Sequence, residues 1–575
     1  MVAEPGPATT AGPVAQDRAA AAPGPGPVRR AVVLALLALA SFAALLHGWR
    51  MSVPLAVGEP GAEQVECVSY APFRRPGETP FDPRAFVSEA RIEADLRLLA
   101  SRTACVRTYA VSQGLHAVPA VAQRLGMTVL LGAWIGRDRR ENDAEVQAAI
   151  GIAREYAGTV RAVVVGNEVM LRRELPEAEL VGYIERVRRA TNVPVTYADV
   201  WEFWLRHPSI APAVSFVTIH ILPYWEDEPV GIDAAIAHVV EVWRGIQRRF
   251  PGREILVGET GWPSEGRARR DAVPGRVEQA RFVRQFTRAA AEHGIRYNLI
   301  EAFDQPWKRA LEGAMGGAWG LLDSDGRPKF DWHGPVAPRE DWTAWRTAAL
   351  AGALLGAAAL ALAGRRRGPA LHAAVGALAG AGLGATLAEQ ARYLVVWNRW
   401  PAEWSASIAA TAVALAACVV SALWLARRLA GDAAAPLPPA STAMRGWLRS
   451  ERRPGLDGWV SMLQAAVLFC AAATVVLHAF DARYRGFDWP LFAPPAVAAA
   501  LAWIAGASRA PGALEERWLG VVLLAGAALM AAREGPANAQ ALGYAALMAV
   551  LGACALARTS TSSPSSAPTA AGSWL

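Results

Sequence analysis

Residues 161–168 read Arg-Ala-Val-Val-Val-Gly-Asn-Glu, and residues 255–263 read Ile-Leu-Val-Gly-Glu-Thr-Gly-Trp-Pro. Each is a short β-branched run of buried-strand length that stops on a carboxylate. Working outward from the strands at Arg161–Val165 and Ile255–Gly258, comparable runs lie at Val65–Tyr70, Ala104–Tyr109, Thr128–Ala133, Val195–Ala198, Phe216–His220 and Asn298–Ala302. Helical segments separate most of them, at Glu89–Ser101, Asp143–Tyr156, Ala178–Thr191, Ala234–Phe250 and Val277–His293. Strand–helix alternation over residues 60–335 predicts an α/β fold, a closed (β/α)8 TIM barrel. A doubly wound open sheet is the competing arrangement, and the absence of a glycine-rich phosphate turn after the first strand argues against it.

In such a barrel the chemistry sits at the C-terminal ends of the strands. Those positions hold Tyr70, Arg107, Tyr109, Trp134, Asn167, Glu168, Tyr197, Asp199, Trp201, His220, Tyr224, Trp225, Glu259, Trp262, Glu301, Asp304 and Trp307. Any single tryptophan among them also reads as core packing. As a set on one rim, aromatic faces and carboxylates suit the C–H faces and paired hydroxyls of a sugar. His220 is either a cleft donor or a satisfied barrel histidine. Glu301 and Asp304 are either substrate contacts or structural salt bridges. Arg137, Arg139 and Arg140 read as a solvated charge run in the loop after the third strand.

Glu168 and Glu259 stand apart because a carboxylate directly after a buried strand is costly unless it faces a solvated cleft or a partner. They lie about three βα units of ~30 residues apart, on the fourth and seventh strands. Two facing carboxylates are what glycosidic cleavage requires: one protonates the leaving oxygen, and the other attacks the anomeric carbon or activates water. A structural pair salt-bridged to Arg107 is the alternative.

Val165-Gly166-Asn167-Glu168-Val169 and Val257-Gly258-Glu259-Thr260-Gly261-Trp262-Pro263-Ser264 resemble the two signatures of glycoside hydrolase family 17, with support from Val68-Ser69-Tyr70 and Val106-Arg107-Thr108-Tyr109. The resemblance covers about residues 62–335. It implies a retaining β-1,3-glucan-active enzyme of the endo-1,3-β-glucanase type, with Glu168 as acid/base, Glu259 as nucleophile and Asn167 on the 2-hydroxyl. Tyr70, Arg107, Tyr109, Asn167, Tyr197, Asp199, Tyr224, Trp262, Glu301 and Trp307 are the expected substrate contacts, and Arg107 is the candidate to hold Glu259 as the anion. No metal or cofactor is expected. A glucanosyltransferase forming β-1,3 or β-1,6 linkages in periplasmic glucan synthesis is the alternative, and a non-catalytic glucan sensor or export component is a further one.

The remainder of the chain is of another kind. Of 575 residues, 53% are hydrophobic and 19% charged, below the roughly 25% charge of soluble domains. The apolar excess is concentrated at Ala31–Leu46 and in seven runs at about 347–364, 369–388, 404–426, 459–480, 489–506, 518–532 and 541–557. Most approach the ~20 residues that cross a bilayer. The expected organisation is a disordered cytoplasmic tail (1–28), a transmembrane signal anchor (29–50), the barrel (60–335), a seven-helix all-α transmembrane region (346–558) and a disordered tail (559–575). A cleaved signal peptide is the alternative to the anchor.

Alternate loops divide the arginines unequally. Arg29 and Arg30 share one side with Arg365, Arg366, Arg367, Arg427, Arg428, Arg445, Arg449, Arg452, Arg453, Arg509, Arg517 and Arg558. The other side has Arg392, Arg399, Arg483, Arg485 and Arg533. The positive-inside rule makes the richer side cytoplasmic, leaving the barrel outside an inner membrane. The net charge of +7 therefore reads as topology, not nucleic-acid binding. Expected partners are β-glucan, membrane lipid and a glucan synthase complex. Gly376, Gly380 and Gly384 form a small-residue helix seam. Cys67 and Cys105 are expected as two buried thiols, with a disulfide as the alternative.

Overall fold

The computed structural model describes residues 23–433, 435–449, 453–480, 485–510 and 513–557. Residues 1–22 of the tail expected over 1–28, the tail expected over 559–575, and Arg452, Arg483 and Arg558 lie outside the described residues, while Pro27 and Val28, expected in the tail, open the helix Pro27–Ser52.

Eight parallel strands close in sequence order: β1 Val68–Ser69, β2 Cys105–Arg107, β3 Thr128–Ala133, β4 Val160–Asn167, β5 Val195–Val200, β6 Val217–His220, β7 Ile255–Thr260 and β8 Arg296–Leu299, with β8 returning to β1. Closure excludes the open doubly wound sheet. The eighth strand begins two residues before its expected start, because Arg296 and Tyr297 pair with Leu256 and Val257 of β7. The expected helices form with shifts of a few residues. The largest is in the helix after β3, which starts at Arg139 because the Asp138 side chain accepts from the Arg140 and Glu141 amides. Arg139 and Arg140 thus belong to a capped helix, not a loop.

Side chains alternate along each strand with period two. Val68, Val106, Leu131, Val163, Val195, Val217 and Val257 join the large core between barrel and helices, nearly or fully buried. Full burial of such a side chain contributes roughly 1.5–3 kcal/mol. Cys67, Cys105, Leu130, Ala162, Val164, Ala198 and Leu256 form a separate cluster inside the barrel. Here Cys67 and Cys105 are joined as a disulfide, with Cα atoms 4.5 Å apart. This corrects the expectation of two thiols: β1 and β2 are neighbours, and both cysteines face the same interior.

The seven C-terminal apolar runs all form helices, at Trp342–Ala363, Pro369–Trp397, Pro401–Leu429, Leu456–Phe480, Trp489–Ile504, Leu514–Glu534 and Ala539–Leu556, with a short helix at Ala440–Leu448. Among the described residues six helices are long and apolar enough to cross a membrane: Pro27–Ser52 and five of these seven. Trp489–Ile504 is apolar but has 16 residues, and Leu514–Glu534 carries Glu515 and Glu516 in its first turn. The glycine seam is real: a Cβ at Gly376 or Gly380 would lie 2.1 or 2.0 Å from the Gly356 or Gly352 carbonyl oxygen.

Candidate active site

The upper part of the barrel interior is polar. Ser69, Thr196, Thr218 and Asn298 are fully buried there, and the Thr196 and Thr218 hydroxyls meet at 2.8 Å. Above them Arg107, 1% exposed, enters from the end of β2. Its Nη1 donates to the Gly258 carbonyl at 2.7 Å and to Glu259 Oε1 at 3.2 Å, and its Nη2 donates to Asn167 Oδ1 at 2.6 Å. Tyr109, two residues on and therefore on the same face, donates to Glu259 Oε1 at 2.9 Å and contacts the Ser69 hydroxyl at 3.0 Å. One carboxylate is thus held by a guanidinium and a phenol. Burial and the Glu259 charge raise the Tyr109 pKa well above the usual phenol value, so Tyr109 stays a donor.

Both glutamates reach the interior through irregular strand ends. The β4–β5 register shifts between Val164 and Asn167, Gly166 takes φ +83°, and Glu168 itself takes φ +56°. Only glycine adopts the first of these without strain. The Glu168 turn is held by its amide donating to the Ala198 carbonyl at 2.7 Å. On β7 the register shifts between Val257 and Thr260. Leu256 and Gly258 face inward by simple alternation, and the shift carries Glu259 inward as well. Gly258 must lack a side chain, since a Cβ would lie 2.3 Å from Thr218 Cγ2.

His220, fully buried at the end of β6, bridges the two. Its Nδ1–H donates to Glu168 Oε1 at 2.8 Å, which assigns that tautomer, and its Nε2 lies 3.6 Å from Glu259 Oε1. A carboxylate oxygen of each glutamate and a ring nitrogen of His220 lie within 4.8 Å of one another. Such a trio could ligate a metal ion. However, Arg107 Nη1 stands 3.2 Å from Glu259 Oε1 and 3.4 Å from His220 Nε2, so a guanidinium already fills the cationic position. Burial raises the Glu168 pKa, but the His220 hydrogen bond and the charges of His220, Arg172 and Arg107 outweigh it, holding the carboxyl below its ordinary value.

Of the residues expected at the site, Arg107, Tyr109, Asn167, Glu168, His220 and Glu259 come together. Others do not join this cluster. Tyr70 and Tyr197 alternate outward, where Tyr70 donates to Asp95 Oδ2 at 3.0 Å and Tyr197 donates to Asp199. Asp199 accepts the Met170 and Leu171 amides, securing the turn behind Glu168, and burial pushes its pKa up to about 6. Tyr224 donates to the Arg267 carbonyl at 2.7 Å. Trp262 is fully buried, stacks on Phe282 and donates to the Val273 carbonyl at 2.9 Å.

Glu301 is clamped by Lys308 Nζ at 2.9 Å to both oxygens, and burial lifts its pKa to about 7. Asp304 pairs with Lys329 at 2.8 Å, and burial lifts its pKa to about 6. Trp307 is half-buried, edge-on to Phe81 at 5.4 Å. Trp201 donates to Glu226, Trp225 stacks on Tyr224, and Trp134 lies exposed under the Arg172 guanidinium at 4.1 Å. Ser69, Asn298, Arg172 and Lys308 were not expected. Ser69 and Asn298 were legible as small polar residues at interior positions of otherwise apolar strands, but Arg172 and Lys308 lie in irregular segments with no such signal.

Comparison with known proteins bears on this geometry. A domain model described as the BtgE/BtgC glycoside hydrolase domain matches residues 67–320. The chain is 30% identical over 232 residues to a glucan 1,3-beta-glucosidase of Schizosaccharomyces pombe, covering 37% of this chain and 72% of that protein. A glucan 1,3-beta-glucosidase of Arthroderma benhamiae is 26% identical over 273 residues, covering 44% of this chain and 87% of the relative. Among solved structures, the family 17 beta-1,3-glucanosyltransferase of Rhizomucor miehei is 25% identical, with a TM-score of 0.41, covering 46% of this chain and 94% of that one.

Proposed function

The chain belongs to glycoside hydrolase family 17, and on that premise we propose that its barrel cleaves β-1,3-glucosidic bonds with retention, through Glu168 and Glu259. Glycoside hydrolase or transglycosylase activity on β-1,3-glucan follows from the relatives; the retaining course and the residue roles are our reading. The observation that carries it is that one oxygen of Glu168 and one of Glu259 lie within 4.8 Å of each other across the barrel mouth, an approach that favours the shorter of the two carboxyl spacings glycosidases use. Retention needs carboxyl groups about 5–5.5 Å apart, whereas inversion needs roughly 6.5–9.5 Å to admit a water.

Glu168 gives its proton to the glycosidic oxygen while Glu259 attacks the anomeric carbon. The C–O bond breaks, the leaving sugar departs as an alcohol, and a glucosyl ester forms on Glu259. Glu168, now a carboxylate, takes a proton from water or a sugar hydroxyl, whose oxygen displaces Glu259 and restores the site. Arg107 and Tyr109 keep Glu259 ionised and aimed. Asn167, fixed by Arg107, faces the same centre and suits the 2-hydroxyl. Hydrolysis and glucanosyl transfer share every step up to the ester and divide only at the acceptor. Reducing-end analysis of laminari-oligosaccharides incubated with the full chain tests this: shorter products mean hydrolysis, and longer or branched ones mean transfer. Turnover surviving in Glu259→Gln overturns the mechanism.

The apolar helices would anchor the barrel in a cell membrane, with the signal anchor at 29–50, the barrel at 60–335 outside and the remaining helices over 346–558. The Cys67–Cys105 disulfide supports an oxidising, extracytoplasmic setting.

A further inference from the structure

The two ends of the barrel meet different surroundings. Around the floor, Glu66 pairs with Arg161 and Arg296, and Arg296 with Glu254, in partly exposed ion pairs confined to the barrel. At the mouth, the loops after β7 and β8 run onto the apolar helices. Arg267, 4% exposed, pairs with Glu534, donates to the Arg485 carbonyl at 2.9 Å and lies 4.3 Å over the Phe487 ring. Asn538 Nδ2 donates to the Ala268 carbonyl at 3.0 Å, and Arg392 pairs with Glu265 at 2.8 Å. After β8, Arg309 donates to the Val395 carbonyl at 3.3 Å.

These partners share one end of the bundle. Arg392 and Val395 are near the end of the Pro369–Trp397 helix, Glu534 ends Leu514–Glu534, and Asn538 caps Ala539–Leu556. The mouth therefore faces the bundle on its β7–β8 side. The wall joins the rim at the end of β8, where Lys308, next to Arg309, clamps the buried Glu301 at 2.9 Å. Glu312 shares the short Arg309–Glu312 helix, and its carboxyl is raised by burial and, against the opposing charge of Lys308, by Glu168 and Glu259. The other side is exposed: Phe86 (70%) follows β1, and Trp134 (36%), one face covered by Arg172, follows β3, while Phe81 (65%) stands edge-on to Trp307 where the β1 and β8 loops meet.

We propose that the helix bundle forms one wall of the substrate cleft, so that a β-1,3-glucan enters from the β1–β3 side only and is worked on near its end. This rests on the glucan-active reading above and replaces the endo mode that an open cleft would allow. The neighbouring membrane then keeps the reacting chain end at the bilayer surface.

The test uses the full chain in lipid nanodiscs with laminariheptaose labelled at its reducing end, and with a long soluble β-1,3-glucan. The expected result is scission or transfer at one or two terminal linkages of the heptaose, with little early loss of polymer viscosity. Products from all internal linkages, with rapid viscosity loss, overturn the wall. The double variant Arg309→Ala, Arg392→Ala loosens the wall without touching the carboxylate pair. It is expected to raise the internal-product share several-fold at unchanged laminaritriose turnover; an unchanged product pattern also overturns the proposal. No turnover of any β-1,3 oligosaccharide overturns the glucan-active reading and this inference together, whereas internal cleavage overturns this inference alone.

Discussion

The floor and the mouth of the barrel interior are built from the same eight strands, a few residues apart, yet they obey different physics. The floor is a closed apolar cluster of Cys67, Cys105, Leu130, Ala162, Val164, Ala198 and Leu256, tied by a disulfide. The mouth gathers Arg107, Asn167, Glu168, His220 and Glu259, with buried polar groups satisfied almost wholly by one another. The difference teaches that stability and chemistry are separated along the strand axis. The floor can be dry because nothing must enter it. The mouth keeps charges in a poorly solvated site only because each carboxylate has a cation or donor against it.

This separation can be broken from either end. The largest effect is expected for Glu259→Gln, which should lower turnover about 10⁴-fold or more while glucan binding, read by calorimetry, persists. Glu168→Gln should cost about 10²–10⁴-fold, with partial recovery by azide, a small anion that needs no general base. Arg107→Ala crosses the divide: it strands Glu259 in a buried site and should cost roughly 3–5 kcal/mol in chemical denaturation besides abolishing activity. The double variant Cys67→Ala, Cys105→Ala should cost about 2–4 kcal/mol of stability and leave kcat of the folded enzyme unchanged. An equal loss of kcat would mean that floor and mouth are mechanically coupled.

The subtlest expectation concerns pH. In the mechanism proposed above the acid form of Glu168 donates the proton, and His220 helps to hold its pKa below the usual value. Accordingly, kcat/KM should fall as pH rises through that lowered value. His220→Asn removes the largest lowering influence and leaves burial opposed only by the charges of Arg172 and Arg107, so the alkaline limb should move to higher pH. A limb that stays in place would assign it to another group.

Much of this was legible in the residues. The apolar runs ending at Glu168 and Glu259 marked both carboxylates, and the seven apolar runs marked the later helices. The aromatic rim was misread where position at a strand end was taken as sufficient. Tyr70 and Tyr197 end their strands too, but alternation with Val68 and Val195 turns them outward, onto Asp95 and Asp199. Alternation alone would also have misplaced Glu259, which follows the inward-facing Gly258.

Local periodicity and composition carried the order and number of the strands, the two strand ends that bear Glu168 and Glu259, and the contrast between a strand–helix barrel and apolar helices. Only the tertiary structure decided which strand-end residues meet, that Cys67 bonds to Cys105, and that the mouth abuts the bundle. Those facts depend on register shifts of one residue and on contacts between segments hundreds of positions apart, and no local pattern encodes either.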